Sequence, residues 1–470
     1  MTDTQSPQRG KPRRRPARQK PGRAPSSAHA DRQQAARRAV VREPLTTGPF
    51  AEMGIDPQVN ANIAAMGLTE PTPIQRDAIP DILQGRDLMG LAQTGTGKTA
   101  AFGLPMLTRL LAEGTRPRAL HCRALILAPT RELATQIAAN IESYAEGTPI
   151  RHLRVVGGAS LNRQADALVR GTDVLIATPG RLIDLLERGA VSLADARYLV
   201  LDEADQMLDI GFIHALRRIA RLLPEQRQTL MFSATMPKLM EELAETYLTD
   251  PLRVAVNPPG AAADKIEQGV HFVNQGDKAK LLADYISGHL DEHAIVFGRT
   301  KYGSEKLARL LDKWGYSVAA IHGNKSQGQR ERALAGFRAG DTKVLVATDV
   351  AARGLDIPQV AHVYNYDLPN VPENYVHRIG RTARAGRDGR AIAFCAPGEI
   401  AELRAIEKTL GNRIPVIGGE APPEPEKPAG RSRGGRGGQK PQATRPGGQD
   451  APARKRPPRR PSRQPKTRQS

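Results

Sequence analysis

The sequence predicts an α/β protein with two tandem domains, each built on a parallel sheet, flanked by two disordered basic tails. Through the middle of the chain, short apolar runs typical of buried strands alternate with amphipathic stretches typical of helices. This alternation is the pattern of a parallel sheet covered on both faces. The chain has 470 residues, 39% of them hydrophobic, which is enough for the cores of roughly two to four domains. Its excess of basic residues lies at the two ends.

The two ends of the chain carry nearly all of its net charge of +20: residues 1–43 hold 12 Lys/Arg and 3 Asp/Glu, and residues 419–470 hold 14 and 4. Both ends are rich in Pro, Gly, Arg and Gln, with too little apolar surface to offset the entropy of ordering. We predict disordered tails over 1–44 and 413–470. Flexible basic arms bind polyanions through phosphate contacts. Solubilising tails or lipid-binding arms are the alternatives, and the lack of an apolar face favours nucleic acid.

The alternation divides the middle of the chain into two domains. We predict a first domain over 45–256, a linker over 257–265 ("NPPGAAADK") and a second domain over 266–412. The strands predicted in the first domain are "RALILAP" (123–129), "DVLIATP" (173–179), "YLVLDEA" (198–204) and "QTLMFSAT" (228–235), with "RELATQIAANIESY" (131–144) as a helix. Those predicted in the second are "AIVFGRT", "SVAAIHG", "KVLVATD", "VAHVYNYD" and "RAIAFCA".

The two cysteines and the apolar runs bear on location. Cys122 and Cys395 each lie in an apolar stretch, which is typical of core packing in a reducing cytosol. No apolar run approaches the length of a membrane span, and the N-terminus lacks the apolar segment of a signal peptide. An Arg-rich start is also seen in organellar transit peptides, although the density of Pro argues against an amphipathic helix. These features predict a cytoplasmic protein.

A phosphate-binding loop is predicted at "AQTGTGKT" (92–99), between the apolar run "DLMGLA" and a helical stretch. Gly95 and Gly97 allow backbone amides to surround phosphates, Lys98 neutralises the terminal phosphates, and Thr99 is placed to ligate Mg²⁺. Ala92 stands where the strict pattern has Gly. A Gly-rich turn before a helix is the alternative, but Gly-Lys-Thr in register favours nucleotide binding. The loop residues Thr94 and Thr96 are assigned to the same site.

The acidic run "DEAD" (202–205) ends a predicted buried strand downstream of this loop. In NTPases with such a loop, an Asp at this place holds Mg²⁺. Asp202 fits that role, and Glu203 is placed to orient or deprotonate the attacking water. The alternative is a helix N-cap by Asp202 with Glu203 in the first turn. Capping and metal binding do not exclude each other.

With these motifs, the sequence resembles the DEAD-box family of ATP-dependent RNA helicases. The resemblance covers residues 48–412, and the motifs occur in the family's order. The resemblance implies two tandem RecA-like domains, ATP and Mg²⁺ as cofactors, RNA as partner and RNA-dependent ATPase activity. "GLTEPTPIQ" (67–75) is similar to the adenine-reading motif. It implies that Gln75 hydrogen-bonds the adenine edge and that Phe50 stacks on the base. Leu68 stands where many members have Phe.

The resemblance also assigns contacts to RNA and between motifs in the first domain. "PTREL" (129–133), "GG" (157–158) and "TPGR" (178–181) resemble segments that hold the sugar-phosphate backbone, and 2′-hydroxyl contacts would distinguish RNA from DNA. Ser233 and Thr235 of "SAT" would link the acidic motif to RNA-dependent closure, with Asp205 sensing that closure. The implied RNA contacts here are Thr130, Arg131, Gly158, Thr178, Gly180 and Arg181.

Four segments of the second domain extend the resemblance: "FGRTK" (297–301), "IHGNKSQGQRER" (321–332), "ATDVAARGLDI" (347–357) and "HRIGRTARAGR" (377–387). Without the resemblance, "HRIGRTARAGR" would be interpreted as a basic, solvent-exposed helix and loop. By resemblance, Arg381 and Arg384 are arginine fingers for the γ-phosphate, while His377 and Arg378 engage the DEAD and SAT segments across the cleft. The other implied roles are ribose binding by Asp356, coupling of RNA to nucleotide by Arg353, and RNA contacts by Thr300, Gly323, Thr348 and Asp349.

Two departures from the commonest family pattern resemble the bacterial RhlE-type branch. Ala383 replaces Gly, and "FGRT" replaces a more usual Asn-Thr form. "IHGNKSQ" agrees with the same branch.

The predicted function is that of an ATP-dependent RNA helicase that separates short duplexes or remodels RNA–protein complexes. Phosphate-binding residues in one domain and arginine fingers in the other require the two domains to close, so ATP and RNA binding must be reciprocally coupled. The alternative is an RNA chaperone that acts mainly through its basic tails. RNA contacts would not be sequence-specific, and complexes of ribosome assembly or RNA decay are expected by analogy with bacterial relatives.

Overall fold

The computed structural model describes residues 42–92, 95–256, 266–352, 360–382 and 389–421, which form two sheets of seven parallel strands. The predicted linker and nearly all of both predicted tails lie outside the described residues. Both sheets belong to one compact unit, which ends at Ala421.

The first sheet has the strand order β3-β4-β2-β5-β6-β1-β7. Its strands are β1 (Leu88–Ala92), β2 (Cys122–Leu127), β3 (His152–Val155), β4 (Thr172–Ala177), β5 (Tyr198–Leu201), β6 (Gln228–Ser233) and β7 (Leu252–Val256). Its helices are α1 (Pro49–Glu52), α2 (Pro57–Ala65), α3 (Pro73–Leu83), α4 (Lys98–Glu113), α5 (Arg131–Tyr144), α6 (Leu161–Leu168), α7 (Pro179–Glu187), α8 (Ala204–Asp209), α9 (Ile213–Ala220) and α10 (Lys238–Tyr247).

The second sheet has the order β10-β11-β9-β12-β13-β8-β14. Its strands are β8 (Ile266–Phe272), β9 (Ala294–Phe297), β10 (Val318–Ile321), β11 (Val344–Ala347), β12 (His362–Asn365), β13 (Gly389–Cys395) and β14 (Val416–Gly418). Its helices are α11 (Lys278–Ser287), α12 (Lys301–Lys313), α13 (Gln327–Ala339), α14 (Asp349–Ala352), α15 (Glu373–Ile379) and α16 (Ile400–Leu410), with a 3₁₀ turn at Pro397–Glu399.

Alternating side chains of the central strands fill two cores, one on each face of the sheet. In β2, Ala124 and Ile126 lie in one core, while Leu125 and Leu127 lie in the other. Because successive side chains of a strand point to opposite faces, an apolar run without polar interruptions is what a doubly covered sheet requires. The second sheet repeats the arrangement, with Ile295 of β9 in one core and Val296 in the other. The predicted α/β fold class is confirmed.

Helix α5 shows how the sequence sets the strand-to-helix transitions. Thr130 takes an extended backbone conformation, and its Oγ1 accepts a hydrogen bond from the Leu133 amide at 3.2 Å. This N-cap satisfies one of the free amides of the first turn. The helix then covers Arg131–Tyr144, the predicted range.

Three further findings concern the earlier expectations. Cys122 and Cys395 are buried free thiols, and burial raises the pKa of each to about 12, in agreement with core packing. The second sheet continues through β14 beyond the predicted boundary at residue 412, because Ile414 packs in the core and extends the domain to this edge strand. None of the helices in the described parts of the chain has the length and apolar character that crossing a membrane requires.

Candidate nucleotide and nucleic-acid site

The strand order of the first sheet brings together the predicted phosphate-binding loop, the acidic motif "DEAD" and the coupling motif "SAT". The loop follows β1, "DEAD" follows β5, and "SAT" begins at the last residue of β6, the strand that pairs with both of the others. Since parallel strands end at the same edge, the three segments meet there. The segments that resemble RNA contacts instead follow β2, β3 and β4, which are neighbours in the other half of the sheet.

The described part of the phosphate-binding loop turns sharply into helix α4. Gly95 and Gly97 have φ of 85° and 94°, values that residues with a Cβ rarely adopt. Lys98 is the first residue of α4 and is buried; its Nζ lies 3.2 Å from the Ala92 carbonyl oxygen and 3.8 Å from Asp202 Oδ1. Thr99 follows it in the first turn. Thr94 lies outside the described residues.

Asp202 and Glu203 form a buried acidic pair beside Lys98. Each residue is 2% exposed, and Asp202 Oδ1 and Glu203 Oε2 have no hydrogen-bond partner. Burial raises the pKa of Asp202, although the charge of Lys98 opposes the rise. Burial likewise raises the pKa of Glu203 to about 7, against the charges of Lys98 and of Arg381 from the second domain. Unpaired buried carboxylate oxygens are costly and require an explanation.

The backbone at Glu203 is strained. Its φ of 54° and ψ of 52° lie in the left-handed region, which costs a residue with a Cβ roughly 1–2 kcal/mol. Glu203, not Asp202, is the N-cap residue of α8, and its side chain makes no capping hydrogen bond. The interpretation of Asp202 as a helix cap is therefore wrong, because the left-handed turn at Glu203 intervenes before the helix.

The residues present fit a magnesium ion. Mg²⁺ is bound in nucleotide sites by one or two carboxylates together with substrate phosphates, and the unpartnered Asp202 Oδ1 supplies such an oxygen. Thr99 contributes a hydroxyl in the first turn of α4. Among the described residues no hydrogen-bond donor reaches this Asp202 oxygen, and Lys98 Nζ lies 3.8 Å away, which leaves the oxygen available to a cation.

Asp205 connects the acidic motif to the SAT segment. Its Oδ2 accepts hydrogen bonds from the Ala234 amide (3.1 Å), the Thr235 amide (2.9 Å) and Thr235 Oγ1 (2.9 Å). Ser233 Oγ donates to the Thr235 carbonyl oxygen at 2.7 Å. The structure thus brings together the residues assigned to coupling in the first domain.

Gln75 contacts the phosphate-binding loop, and both Gln75 and Phe50 are buried. Gln75 Nε2 donates to the Gly97 carbonyl oxygen at 3.1 Å, and its Oε1 accepts from the Thr72 amide at 2.9 Å. A Cβ added at Gly97 would lie 2.5 Å from Gln75 Nε2. Phe50 is 2% exposed and packs in the first core, so stacking on adenine requires this ring to be uncovered and stays a prediction.

The segments after β2, β3 and β4 converge through two arginines. A Cβ placed on Gly158, whose φ is 80°, would lie 2.1 Å from Arg131 Nη1. Arg181 Nη1 donates to the Ala159 carbonyl oxygen at 3.0 Å. Thr178 is the N-cap residue of α7 and Gly180 lies in its first turn. The predicted RNA-contacting residues of this domain, including Thr130 at the start of α5, therefore share one edge of the sheet.

The second domain repeats this arrangement. Gly323 follows β10, Thr348 follows β11 and Thr300 follows β9, and these three strands are neighbours. Thr300 caps α12, accepting from the Gly303 amide at 3.0 Å. Gly323 is exposed with no side chain near it, and Thr348 is largely buried.

Arg378 occupies a different place from the predicted one. It is 2% exposed and forms a bidentate pair with Asp349, at 2.6 and 2.8 Å, and it also donates to Asn365 Oδ1 and to the Asp367 carbonyl oxygen. Its donors are thus used inside the second domain, not on the DEAD and SAT segments. Asp349, predicted to contact RNA, is its partner. The correction for Arg378 has a physical reason: a buried guanidinium requires a paired carboxylate. Asp349 keeps 23% of its side chain exposed, so its contact with RNA stays a prediction.

The remaining predicted residues of the second domain are partly described. Arg381 is 6% exposed, and its positive charge lowers the pKa of Glu203; its role at the γ-phosphate stays a prediction. His377 is half-buried in the last turn of α15. Arg353, Asp356 and Arg384 lie outside the described residues.

One contact between the domains was not foreseen from the sequence. Arg330 of α13 lies 3.1 Å from Glu132 of α5, with side-chain exposures of 12% and 7%. Glu132 belongs to "PTREL", directly after two predicted RNA contacts, and Arg330 lies within the "QGQRER" stretch of the second domain. The quoted motifs contained both residues, but no sequence signal pairs an acid with a base across a domain boundary.

Two family models match the chain. The model described as DEAD/DEAH box helicase matches residues 72–243, and the model described as Helicase conserved C-terminal domain matches residues 277–386. Together they cover most of the motifs on both sheets, although Phe50 and residues 67–71 lie before the first match.

Curated relatives are similar over most of the chain. The "ATP-dependent RNA helicase CshA" of Listeria monocytogenes serovar 1/2a is 44% identical over 384 residues, which are 82% of this chain and 72% of the relative. The "DEAD-box ATP-dependent RNA helicase CshA" of Bacillus cereus is 42% identical over 365 residues, which are 78% of this chain and 69% of the relative.

Solved structures share the fold. S. cerevisiae Dbp5 bound to RNA and ADP BeF3 is 34% identical with a TM-score of 0.70, over 79% of this chain and 96% of that one. Mss116p bound to ssRNA and AMP-PNP is 29% identical with a TM-score of 0.72, over 82% of each chain.

Proposed function

The chain belongs to the DEAD-box family of ATP-dependent RNA helicases, and from this premise we propose that it hydrolyses ATP when RNA is bound and uses the cycle to separate short duplexes or remodel RNA–protein complexes. The observation that carries the proposal is the buried pair Asp202 and Glu203, with unpartnered oxygens, between Lys98 and the charge of Arg381 from the second domain. A merely structural acidic pair would have its oxygens satisfied.

The chain's own groups supply most of the chemistry. Lys98 exchanges its contacts with Ala92 and Asp202 for the terminal phosphates of ATP. Glu203, whose pKa is near 7, accepts a proton from the attacking water at neutral pH. Arg381 completes the site from the second domain and stabilises charge in the transition state, together with Arg384. Because the site is complete only when the domains meet, turnover requires closure.

A magnesium ion would be held by Thr99 and Asp202. When bound, it neutralises negative charge on the phosphate oxygens. The roles of Thr94, Gln75 and Phe50 at the loop and adenine, and of Asp356 at the ribose, rest on the family resemblance.

RNA binding is supported by the shared edges of the two sheets. Arg131 and Arg181 give one edge positive charge, and Thr300 and Gly323 lie on the corresponding edge of the second domain. Backbone amides, hydroxyls and arginines recognise sugar-phosphate without reading bases, so we propose binding without sequence specificity. RNA on both edges favours the closed form and thereby stimulates ATP hydrolysis.

The experiment that tests this function is the substitution Glu203→Gln, which keeps the size of the side chain but removes the proton acceptor. We expect binding of ATP and RNA with loss of RNA-stimulated turnover by two or more orders of magnitude. ATP hydrolysis and unwinding of a short labelled duplex are measured together. Glu245→Gln is the matched control, because Glu245 is an exposed residue of α10 outside the quoted motifs. Unchanged multiple-turnover unwinding by Glu203→Gln contradicts the mechanism.

A second candidate function, an RNA chaperone acting through the tails, is favoured only by their charge. Deleting residues 419–470 separates the two. We expect weaker and less salt-dependent RNA binding with RNA-stimulated ATPase largely retained. Loss of all ATPase in the deletion, or annealing activity without any ATPase in the full chain, favours the chaperone.

The finer assignments are proposals of the same kind. We place the protein in the cytoplasm, in complexes of ribosome assembly or RNA decay, and in the RhlE-type branch, the last resting on Ala383 and "FGRT". Crosslinking in cells followed by sequencing of the bound RNA tests the cellular role. Enrichment of neither ribosomal nor decaying RNA rejects it.

A further inference from the structure

Two histidines and a glutamate form a cluster at the opposite edge of the second sheet from the candidate site. His289 and Glu292 lie in the connection between α11 and β9, and His362 is the first residue of β12. β9 and β12 are adjacent strands that begin at this edge, whereas the RNA- and nucleotide-related segments follow the strands' carboxyl ends. None of the three residues has a role in the ATPase cycle proposed above.

The three side chains present their ligand atoms within 4.8 Å of one another. Glu292 Oε2 is 2.5 Å from His362 Nε2 and 3.9 Å from His289 Nδ1. In a tetrahedral zinc site with bonds near 2.1 Å, neighbouring ligand atoms are about 3.4 Å apart, a value between the two observed separations. The imidazole rings have centroids 4.2 Å apart and are tilted by 32° to each other.

A simple hydrogen bond accounts for only part of this arrangement. It explains the contact of His362 with Glu292, but not why a second imidazole is held against the same ring and the same carboxylate oxygen. His362 is buried, and its Nδ1 has no hydrogen-bond partner. The polar interaction of this ring is therefore made at Nε2, the atom that faces the cluster.

The cluster is anchored on one side and open on the other. The amides of Ala361 and His362 both donate to the His293 carbonyl oxygen, at 3.0 and 3.4 Å, which ties the start of β12 to the segment that carries Glu292. The side chains of His289 and Glu292 are 35% and 52% exposed. They border a cavity of about 260 Å³, so an ion and its waters can reach them, and His289 can rotate to meet it.

The nearby cations do not occupy the carboxylate. Lys343, which also lines the cavity, donates to the Asp291 carbonyl oxygen at 3.0 Å. Arg390 pairs with Glu267 at 3.2 Å. Within the described part of the chain, Glu292 pairs with the two imidazoles and with no lysine or arginine.

We propose that His289, Glu292 and His362 bind one divalent transition-metal ion of the zinc class. Two imidazole nitrogens and one carboxylate oxygen are a donor set typical of zinc, with the fourth position left to water. Mg²⁺, which prefers oxygen ligands, does not compete for this site. The bound ion clamps the α11–β9 connection to the start of β12.

The test uses the full chain, freed of metal with a chelator and then dialysed, without nucleotide. Titration with ZnCl₂ is followed by calorimetry, and bound metal is counted by elemental mass spectrometry after gel filtration. We expect one zinc per chain, a raised Tm of unfolding, and no such shift with MgCl₂. CoCl₂ is expected to give the visible absorption of a Co²⁺ ion with nitrogen ligands.

Variants locate the site. His289→Ala and Glu292→Ala change partly exposed side chains, so folding is retained, and each is expected to weaken zinc binding at least tenfold. His214→Ala, an exposed histidine of α9 in the first domain, is the matched control and keeps full affinity. The proposal is overturned if the wild-type chain binds no stoichiometric zinc, if binding survives unchanged in both cluster variants, or if the control loses it equally.

Discussion

Gly158 lies against Arg131, where two segments of the first domain's RNA-related edge meet. Its φ of 80° and the 2.1 Å separation between its Cβ position and Arg131 Nη1 leave no room for a side chain. We expect Gly158→Ala to displace Arg131 and to weaken RNA binding about five- to tenfold, the loss of roughly one charge-assisted contact. ATP binding without RNA is expected to stay unchanged. Anisotropy of a labelled RNA and the RNA concentration for half-maximal ATPase measure the effect.

Gly189 provides the control for backbone strain. It also has a positive φ, of 64°, but no atom lies near its Cβ position. In Gly189→Ala, the alanine must adopt the same left-handed backbone conformation, at a similar cost of about 1 kcal/mol, but Arg131 is not displaced. Equal loss of RNA affinity in the two variants would show that strain, not the position of Arg131, is responsible.

The sequence predicted which residues belong to the candidate site. It did not predict their backbone conformation, their burial or their hydrogen-bond partners. Lys98, Asp202 and Glu203 could be assigned to one candidate site because they stand at fixed spacings within motifs, and the structure brings them together. The left-handed backbone of Glu203 and the burial of Arg378 against Asp349 depend on tertiary packing, which no local pattern encodes. The prediction for Arg378 failed for this reason.

At the scale of elements, helix α12 is joined to the loop after β10 by one carboxylate. Glu305 contacts Lys325 (2.8 Å), His322 (2.9 Å) and Arg309 (3.0 Å). Hydrogen bonds from Lys325, then His322, lower the pKa of Glu305 from 4.5 to about 2. Its stabilising effect is therefore complete above pH 4.5 and is lost as the pH falls towards 2.

We expect Glu305→Gln to lower the free energy of unfolding at pH 7 by about 1 kcal/mol, since the contacts are partly solvated. The difference from wild type should shrink as the pH falls from about 5 to 2. Urea unfolding followed by the fluorescence of Trp314, the single tryptophan and the C-cap residue of α12, reports on this domain. Glu267→Gln, which removes an exposed carboxylate with one pairing, is the control. A difference that is constant over this pH range contradicts the assignment.

The elements that the sequence predicted are the buried central strands. β2, β4, β5 and β6 are buried along their whole length, and each predicted run contains most of its strand. The strands β3, β7, β8 and β14 were not predicted, because they lie near or at the sheet edges; the first three carry polar residues, and β14 has only three residues. The strand order places the nucleotide-related and the RNA-related motifs in different halves of the first sheet. This order arises from long-range strand pairing and cannot be predicted from local sequence patterns.

For the whole molecule, the contact between Glu132 and Arg330 joins the two domains. Glu132 Oε1 and Arg330 Nε have no hydrogen-bond partner, and burial lowers the pKa of Arg330. Removing one partner leaves the other charge buried and unpaired, which is more costly than removing both. We expect Glu132→Gln and Arg330→Met each to reduce, several-fold, the enhancement of RNA binding by a non-hydrolysable ATP analogue.

The double variant tests whether the two residues act through each other. If they do, the combined change is no larger than the greater single change. RNA affinity is measured with and without the analogue in all four proteins. Arg217→Met, which removes an arginine from a pair within the first domain, controls for loss of charge. Strictly additive effects would show that the contact does not couple the domains.

The strained backbone of Glu203 has a consequence for how the chain would change under different selection. A glycine would relax the left-handed turn and lift the cost of burying an unpaired carboxylate, so Glu203→Gly is expected to fold more stably while losing turnover. If a library of substitutions at residue 203 is selected only for resistance to protease, we therefore expect glycine or asparagine to be enriched. The same library enriched for growth that depends on ATP turnover would retain glutamate, against the preference of the fold.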